Sequence, residues 1–395
     1  MASMRERLSR MLKPKVDAIG LEIGTSALKA VELKAGNPPS LASLALRPMP
    51  PGLLQGDQVV DAAGLADEIR ALLDDAGISR RAVVTAVGNR QAITRNITLP
   101  RMTLQELGDA IHWEAERYIP FPIDEVELDW YALDNPADLA DGEEMEVVIA
   151  AARRDLLTSQ VDYLRQSGLE PVVMDIKPFS LLRSLKGSLL GEHLNRTTLT
   201  GERFTEADEV GVVIEIGASS STITLVRGNR VLMNRNIGVS GDDVTAAIQR
   251  MFGLDFDTAE EIKIDYAMAS IPTEEEEELL ALETKHEQYT PGRVHGAVRP
   301  VLADLTNEIR RSLEFFRVQT GDADIQRVLL TGGGSKLRGL AGAISDSLGF
   351  RVELGDPWLT VTVDENRFDR QYLESFGPEF AVPMGLALRG VSGDD

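Results

Sequence analysis

Two stretches of this 395-residue chain, 17–32 and 210–226, repeat one pattern far apart in the sequence. Each runs from apolar residues through a glutamate and an Ile-Gly pair to small hydroxyl residues, and then becomes apolar again. Apolar segments on both sides of a glycine favour two strands joined by a tight turn. The chain is therefore expected to contain two matching β-hairpins, each with a polar tip.

The polar tips indicate phosphate binding. Glycine lets backbone N–H groups approach a phosphate closely, and serine and threonine add hydroxyl donors. The carboxylates of Glu22 and Glu215 are suited to hold a hydrated Mg²⁺ ion, either directly or through water. A single tip of this kind also occurs in ordinary turns, so the indication comes from the pair. The phosphate-binding candidates are Gly24, Thr25, Ser26 and Lys29 in the first hairpin and Gly217, Ala218, Ser219, Ser220 and Ser221 in the second.

A third element follows near the end of the chain. The apolar run 327–331 leads into a glycine-rich turn and then into a helical pattern at Leu340, Ile344 and Leu348. A strand, a glycine turn and a helix in this order are typical of a nucleotide-contacting turn. Neither the dinucleotide-binding nor the P-loop spacing of glycines fits, so any phosphate binding follows another scheme. The candidate residues of the turn are Gly332, Gly333, Gly334, Ser335 and Lys336.

Together, the two hairpins and the glycine-rich turn resemble the actin/Hsp70/FtsA ATPase superfamily. Segment 257–263 is similar to the ribose-contacting helix of that superfamily, in which Glu260 and Lys263 would share one face. Segments 168–182 and 380–390 resemble its two connecting segments. The resemblance implies an α/β, actin-like (ribonuclease H-like) duplicated fold with two lobes, an inserted subdomain in each, and ATP and Mg²⁺ bound in the cleft between them.

Within that superfamily, residues 110–122 resemble the signature of the PilM family of type IV pilus assembly proteins, and the likeness extends over about 17–390. It implies a cytoplasmic protein, peripheral at the inner membrane, that binds the cytoplasmic N-terminal peptide of PilN. It also implies a connection between the pilus inner-membrane complex and cytoplasmic motor components.

The signature segment itself predicts a helix with a defined start. Thr103 is placed to act as N-cap, with Glu106 as its capping-box partner. The apolar face of this helix is predicted to consist of Leu107, Ile111, Ala115 and Tyr118. We interpret the three aromatic residues of the segment as core of a small subdomain rather than as a functional surface; they are Trp113, Tyr118 and Phe121.

The landmarks predict four subdomains. The first comprises 17–89 with 168–200 and 376–395, and 90–167 is inserted in it. The second comprises 209–240 with 325–375, and 241–324 is inserted in it, including a long helix from about residue 294 whose start Pro300 should kink or delay. A polar link near 188–208, a solvated glutamate run at 274–278 and a basic, frayed N-terminus at 1–16 complete the organisation.

Composition excludes several classes of function. The net charge of −22 argues against nucleic-acid binding, which needs clustered Lys and Arg. The chain has no cysteine, so it forms no disulfides or thiolate metal sites, and its four histidines lack paired ligand spacing. No apolar stretch approaches the roughly 20 residues that span a bilayer. At 43% hydrophobic residues, the chain is expected to build ordinary α/β cores.

The two glutamates leave the catalytic question open. Hydrolysing members of the superfamily usually carry Asp at both hairpins, and misplacement of a group by about 1 Å can cost ~100-fold in rate. We therefore favour an ATP-binding assembly protein over an active ATPase in which Glu22 and Glu215 order metal and water. An FtsA-like, self-associating cell-division protein is a third alternative.

Overall fold

The computed structural model describes residues 17–392 except 57, 89–90, 141, 191–209, 229, 272, 274–288 and 320–324. The basic N-terminus, most of the polar link and the glutamate run therefore lie outside the described residues. The strands are β1 (Ile19–Ile23), β2 (Ala27–Lys34), β3 (Ser40–Pro48), β4 (Leu54–Gln55), β5 (Gln58–Val59), β6 (Ala82–Val87), β7 (Ala92–Pro100), β8 (Val126–Ala132), β9 (Glu144–Arg153), β10 (Glu170–Ile176), β11 (Val210–Ile216), β12 (Ser221–Arg227), β13 (Arg230–Ile237), β14 (Arg327–Thr331) and β15 (Val352–Leu354). The helices are α1 (Ala62–Asp75), α2 (Leu104–Ala115), α3 (Arg154–Gln166), α4 (Lys177–Leu190), α5 (Gly241–Phe252), α6 (Phe256–Tyr266), α7 (Pro291–Gln319), α8 (Leu340–Leu348) and α9 (Arg370–Ser392).

Two five-stranded sheets share one topology. The first has the order β3-β2-β1-β6-β10 and the second the order β13-β12-β11-β14-β15. In each sheet the first three strands are antiparallel neighbours, and the last two join in parallel. Each sheet forms the centre of one lobe, and the hairpins predicted from the repeated pattern are β1–β2 and β11–β12. The duplicated α/β fold is thus confirmed.

A third sheet, with the order β7-β9-β8, forms the subdomain inserted in the first lobe. Helix α2 covers it and begins with the expected capping box: the Glu106 amide donates to Thr103 Oγ1 over 3.2 Å, and the Thr103 amide donates to Glu106 Oε2 over 2.8 Å. Strand β7 was not predicted, because its exposed polar residues alternate with only two deeply buried ones, Ile97 and Leu99.

Two of the three aromatic residues assigned to the core of this subdomain are exposed, so that prediction was wrong for them. Trp113 is 73% exposed and Tyr118 is 39% exposed, whereas Phe121 packs against the apolar core. The reason is helical geometry. Leu107 and Ile111 face the sheet, and Trp113, two residues beyond Ile111, points about 200° away from it.

Helix α7 also differs from its prediction. It begins at Pro291, well before Pro300, so Pro300 does not delay its start. Its buried face, which includes Val294, Val298, Leu305 and Ile309, packs in the apolar core of the second lobe and explains why the helix continues through the proline.

An apolar cluster joins the two lobes. It combines side chains from both central sheets with side chains from α4 and α9, and we call it the interlobe cluster. Its fully buried members include Val84, Leu181, Leu185, Val213, Leu329 and Leu386. Because both connecting helices contribute, one continuous apolar cluster lies between the two central sheets.

Glycines permit the close approach of α9 to its neighbours. A Cβ atom on Gly385 would overlap the Ser180 carbonyl of α4, and one on Gly20 would overlap the Pro383 carbonyl of α9. These contacts are between backbones, which cannot move aside as a flexible side chain can. The small residues of the closing helix are therefore required by its packing.

Replacement of Gly385 by alanine should accordingly destabilise the protein by at least about 1–3 kcal/mol, the usual cost of overpacking. The matched control is Gly296→Ala in the interior of α7, where a Cβ meets nothing within 4 Å and alanine should stabilise by about 0.5–1 kcal/mol. Urea unfolding measures both changes. Equal stability of the two variants would contradict the assigned packing of α9.

The exposure of Trp113 leads to a second expectation. Trp113→Ala should change the free energy of unfolding by less than about 0.5 kcal/mol, as is usual for surface positions. Ile111→Ala, which removes a side chain that is 1% exposed, should cost about 2–5 kcal/mol. A large loss in the free energy of unfolding on Trp113→Ala, measured in the same urea titration, would contradict the exposed position of Trp113.

Candidate functional site

The tips of the two hairpins lie in contact with each other. In each, the glycine amide closes the turn: Gly24 donates to the Ala27 carbonyl and Gly217 to the Ser220 carbonyl, both over 3.0 Å. The hydroxyl of Thr25 donates to the Ser219 hydroxyl across the cleft over 3.1 Å. The repeated pattern in the sequence thus becomes one paired surface.

Beneath the tips lie four charged side chains, which we call the cleft tetrad: Glu22, Lys29, Lys177 and Glu215. The Lys177 ammonium donates to Glu22 Oε1 over 2.9 Å and to Glu215 Oε1 over 3.2 Å. Lys29 donates to Glu22 Oε2 over 3.4 Å, and the Thr222 hydroxyl donates to Glu215 Oε2 over 3.1 Å. Both glutamates are buried, with exposures of 5% and 6%.

Strand register explains two of these contacts. Glu22 lies directly opposite Lys29 in the β1–β2 pair, and Glu215 lies directly opposite Thr222 in the β11–β12 pair. Directly opposed residues project from the same face of a sheet, so each glutamate meets its cross-strand partner. Lys177 arrives differently: it is the first residue of α4, immediately after β10.

Neighbouring opposite charges shift the pKa values of Glu22 and Lys177 in the directions that favour their charged forms. Burial by itself raises the pKa of Glu22, but Lys29 and Lys177 outweigh burial and hold that pKa below its ordinary value. Burial likewise lowers the pKa of Lys177, and the charges of Glu215 and Glu22 outweigh it and raise the pKa above its ordinary value. With two carboxylates and two ammonium groups, the buried tetrad has no net charge.

Helices α5 and α6 surround the second tip. The first residues of α5 donate to it, Gly241 to the Gly217 carbonyl over 2.9 Å and Asp242 to the Ala218 carbonyl over 2.8 Å. On α6, Lys263 pairs with Glu260 over 2.6 Å and also donates to the Gly241 carbonyl over 3.3 Å. The two candidates from α6 therefore share one face of the helix and lie beside the hairpin tip.

The glycine-rich turn packs on the end of β11. Gly332 has a φ of +81°, and a Cβ there would overlap the Ile216 carbonyl, while one on Gly334 would overlap the Ile216 side chain. Lys336 pairs with Glu379 of α9 over 2.6 Å, and its ammonium lies 3.9 Å from the centre of the Phe376 ring. Helix α8 begins only at Leu340, so the turn itself is a short 3₁₀ segment, Gly333–Lys336.

The structure thus brings the sequence candidates to two neighbouring places. One is the first hairpin, with Glu22 and Lys29 at its base. The other is the surroundings of the second tip, where α6 and the glycine turn converge. Their roles as nucleotide ligands stay a prediction. Sequence reasoning missed Lys177 and Thr222; a lysine placed where the first connecting segment changes from strand to helix is the signal that was available for Lys177.

The donor set fits a phosphate chain. Two tips with hydroxyl groups lie together, the Lys29 and Lys177 ammonium groups lie beneath them in contact with the glutamates, and the buried Ser221 hydroxyl has no hydrogen-bond partner among the described residues. It does not fit a divalent ion held by both glutamates, because the Lys177 ammonium lies between them. Nor does any group of three or more His, Asp or Glu that could hold a metal ion occur within the described ranges.

Two duplicated lobes, joined by connecting helices and facing each other through polar hairpin tips, define an actin-like protein. Solved structures agree on the fold. The ethanolamine utilization protein EutJ from Carboxydothermus hydrogenoformans superimposes with a TM-score of 0.52 at 16% identity, covering 94% of this chain and 89% of that one. MreB5 of Spiroplasma citri bound to ADP superimposes with a TM-score of 0.52 at 11% identity, covering 95% of this chain and 97% of that one.

The family follows from stronger matches. The model of the type IV pilus assembly protein PilM matches residues 20–391. A chain of a solved PilM-PilN type IV pilus biogenesis complex is 45% identical with a TM-score of 0.81, covering 96% of this chain and 100% of that one. This chain belongs to the PilM family of type IV pilus assembly proteins.

A more distant relative is the cell division protein FtsA of Agrobacterium fabrum, which is 26% identical over 182 residues. The match covers 44% of this chain and 39% of FtsA, so the chain spans well under half the length of that relative. It gives the cell-division alternative only weak support. Among the helices that the described residues form, none has both the length and the apolar character needed to cross a membrane.

Proposed function

We propose that this type IV pilus assembly protein binds ATP in the cleft between its lobes and, in that state, binds the N-terminal peptide of PilN. The observation that carries the nucleotide part is the contact of Thr25 with Ser219, which joins two glycine-and-hydroxyl tips from duplicated halves. Such tips offer several donors to one polyanion.

In this proposal each part of the nucleotide has its own residues. The ribose lies by Glu260 and Lys263, and the adenosine by the glycine turn 332–336. Bound ATP supplies a chain of negative charges, with Mg²⁺ carried on its phosphate oxygens and water rather than in a cage of protein carboxylates. The phosphate ligands proposed are Gly24, Thr25, Ser26, Lys29, Gly217, Ala218, Ser219, Ser220 and Ser221.

Holding ATP is favoured over hydrolysing it because both candidate catalytic carboxylates have other partners. Glu22 accepts hydrogen bonds from Lys177 and Lys29, and Glu215 accepts them from Lys177 and Thr222. A carboxylate committed to an ammonium group is poorly placed to order an attacking water, and an error of about 1 Å in placement costs ~100-fold.

The proposed partner is inferred from the family to which the chain belongs. The solved relative at 45% identity is a PilM-PilN complex, and rigid transfer of a binding mode is a fair default at an ordered surface. We place the peptide on the first lobe or its inserted subdomain, 90–167, where Trp113 is 73% exposed. The protein would then be cytoplasmic, peripheral at the inner membrane through PilN, and linked to the motor components. The proposal also includes the division into four subdomains that the sequence predicts.

The nucleotide site is tested with Thr25→Val, which removes a hydroxyl and keeps the shape of the side chain. A hydrogen bond to a charged group contributes about 1.5–3 kcal/mol, so the affinity for ATP should fall roughly 10- to 100-fold. Isothermal titration calorimetry on nucleotide-stripped protein measures it. Thr306→Val is the matched control, since its hydroxyl bonds the Leu302 carbonyl inside α7 and its loss should leave ATP affinity unchanged.

Equal ATP affinity of wild type and Thr25→Val would count against the tips as the phosphate site. Steady-state phosphate release, with Glu215→Ala for comparison, separates holding from hydrolysis. Turnover of about 1 s⁻¹, the low end of ordinary enzymes, that is lost in Glu215→Ala would favour the active ATPase instead.

The partner site is tested with a synthetic peptide copied from the PilN N-terminus. Wild-type protein loaded with ATP should bind it saturably in calorimetry, and Trp113→Ala should weaken binding roughly tenfold or more, as buried aromatic anchors typically do. Phe256→Ala is the control, because Phe256 is also exposed but lies on α6 of the other lobe. Absence of peptide binding by wild type would refute the assigned partner, and an equal loss in both variants would refute the assigned surface.

A further inference from the structure

The Lys177 ammonium lies between two carboxylates that come from different lobes. It is 2.9 Å from Glu22 and 3.2 Å from Glu215. The side chain of Lys177 is 17% exposed, and those of the two glutamates are 6% and 8% exposed. Removal of one partner from an interlobe contact of this kind, shielded from water, leaves a buried charge uncompensated and has a far larger effect than the loss of a surface ion pair.

All four oxygens of the two carboxylates accept hydrogen bonds. Oε1 of each glutamate accepts from Lys177, Oε2 of Glu22 accepts from Lys29, and Oε2 of Glu215 accepts from Thr222. A divalent cation coordinated by Oε1 of both glutamates would take the position of the Lys177 ammonium and would have to displace it. It would also bring two positive charges close to two ammonium groups, which is unfavourable at low dielectric constant.

We infer that Lys177 is a resident cation of the cleft: it takes the position that a divalent ion shared by Glu22 and Glu215 would occupy, and it joins the two lobes there without metal. The inference concerns the same cleft as the proposed ATP site. The carboxylate pair therefore binds no divalent cation while Lys177 is in place, and it becomes a divalent-cation site when the ammonium group is removed.

An ordinary structural ion pair makes a different prediction. If Lys177 only stabilised the fold, its removal would destabilise the protein and no ion would restore the loss. If the ammonium takes a cation position, its removal leaves two opposed carboxylates with oxygen ligands of the kind that Mn²⁺ and Mg²⁺ prefer. A divalent ion should then replace it, and restoration by metal separates the two explanations.

The test is a titration of the nucleotide-free 395-residue protein with Mn²⁺, in which electron paramagnetic resonance measures the concentration of free ion. Wild type should show no site tighter than its nonspecific background. Lys177→Met should gain one site that is roughly tenfold tighter or more, because a positive charge beside both carboxylates has been removed. Lys29→Met is the matched control: it also removes a buried ammonium group, but Lys177 still separates the glutamates, so no such site should appear.

Thermal unfolding provides the second measurement. Millimolar Mn²⁺ should raise the melting temperature of Lys177→Met and leave that of wild type nearly unchanged. If Lys177→Met fails to fold alone, Mn²⁺ should restore it, and Lys177→Met combined with Glu215→Gln should fold without metal and lack the site.

Three results would overturn the inference: tight Mn²⁺ binding by wild type, no gain of a site in folded Lys177→Met, or failure of Mn²⁺ to restore an unfolded one. Because no nucleotide is present in these experiments, such a failure leaves the ATP proposal intact. Conversely, if the protein proves not to bind ATP, the Mn²⁺ experiments still test the role of Lys177.

Discussion

Two buried glutamates, one from each lobe, share a single ammonium group, and this contact joins the two halves of the molecule at the cleft. A buried carboxylate left without its partner costs about 3–5 kcal/mol. If the lobes separated at Lys177, Glu22 would keep its contact with Lys29 and Glu215 its contact with Thr222, but each would lose a buried ammonium partner. Lys177 belongs to the segment that connects the lobes, so the ion contact and the chain connection act at the same point. Together with the interlobe cluster, they hold the lobes against each other.

Helix α9 contributes side chains to the apolar interlobe cluster. The same helix also contacts the glycine turn. The Pro378 carbonyl accepts hydrogen bonds from the Thr331 hydroxyl over 2.7 Å and from the Gly332 amide over 2.8 Å. Lys336 adds its ion pair with Glu379 one residue further along α9. The same helix packs backbone to backbone on β1 and α4. A shift of the glycine turn would consequently be felt at the base of both hairpins, because well-packed interiors transmit displacement rather than absorb it.

Local sequence signals predicted what depends on local structure. The hairpins, the capping box at Thr103 and the strand before Gly332 each follow from neighbouring residues, and the structure contains them. Strand β7 was missed because its polar residues hide a weak alternation. Trp113 was misassigned because aromatic residues usually pack inside, whereas the face of α2 is decided by Leu107 and Ile111.

The centre of the site was not predictable in this way. Lys177 lies 155 residues from Glu22 and 38 from Glu215 in the chain, and only the folding of β10 beside β6 brings it between them. The glutamates themselves were visible in the sequence, but their partner was not. The sequence suggests a metal ion beside Glu22 and Glu215 because nothing near them in the chain shows that Lys177 supplies the positive charge.

The presence of Glu rather than Asp in both hairpins now has a physical explanation that does not involve a reaction. Each glutamate side chain has one more methylene than aspartate, which extends its carboxylate toward the middle of the cleft, and there both meet the same ammonium group. With aspartate on either side the carboxylate would stop short, and Lys177 would lose a partner in a buried position. A lysine that joins the lobes favours the arrangement in which both glutamates contact it. A cycle in which each ATP hydrolysed reopens the cleft would have to separate this buried ammonium group from one of the two carboxylates, so the contact favours the proposed holding of ATP over its hydrolysis.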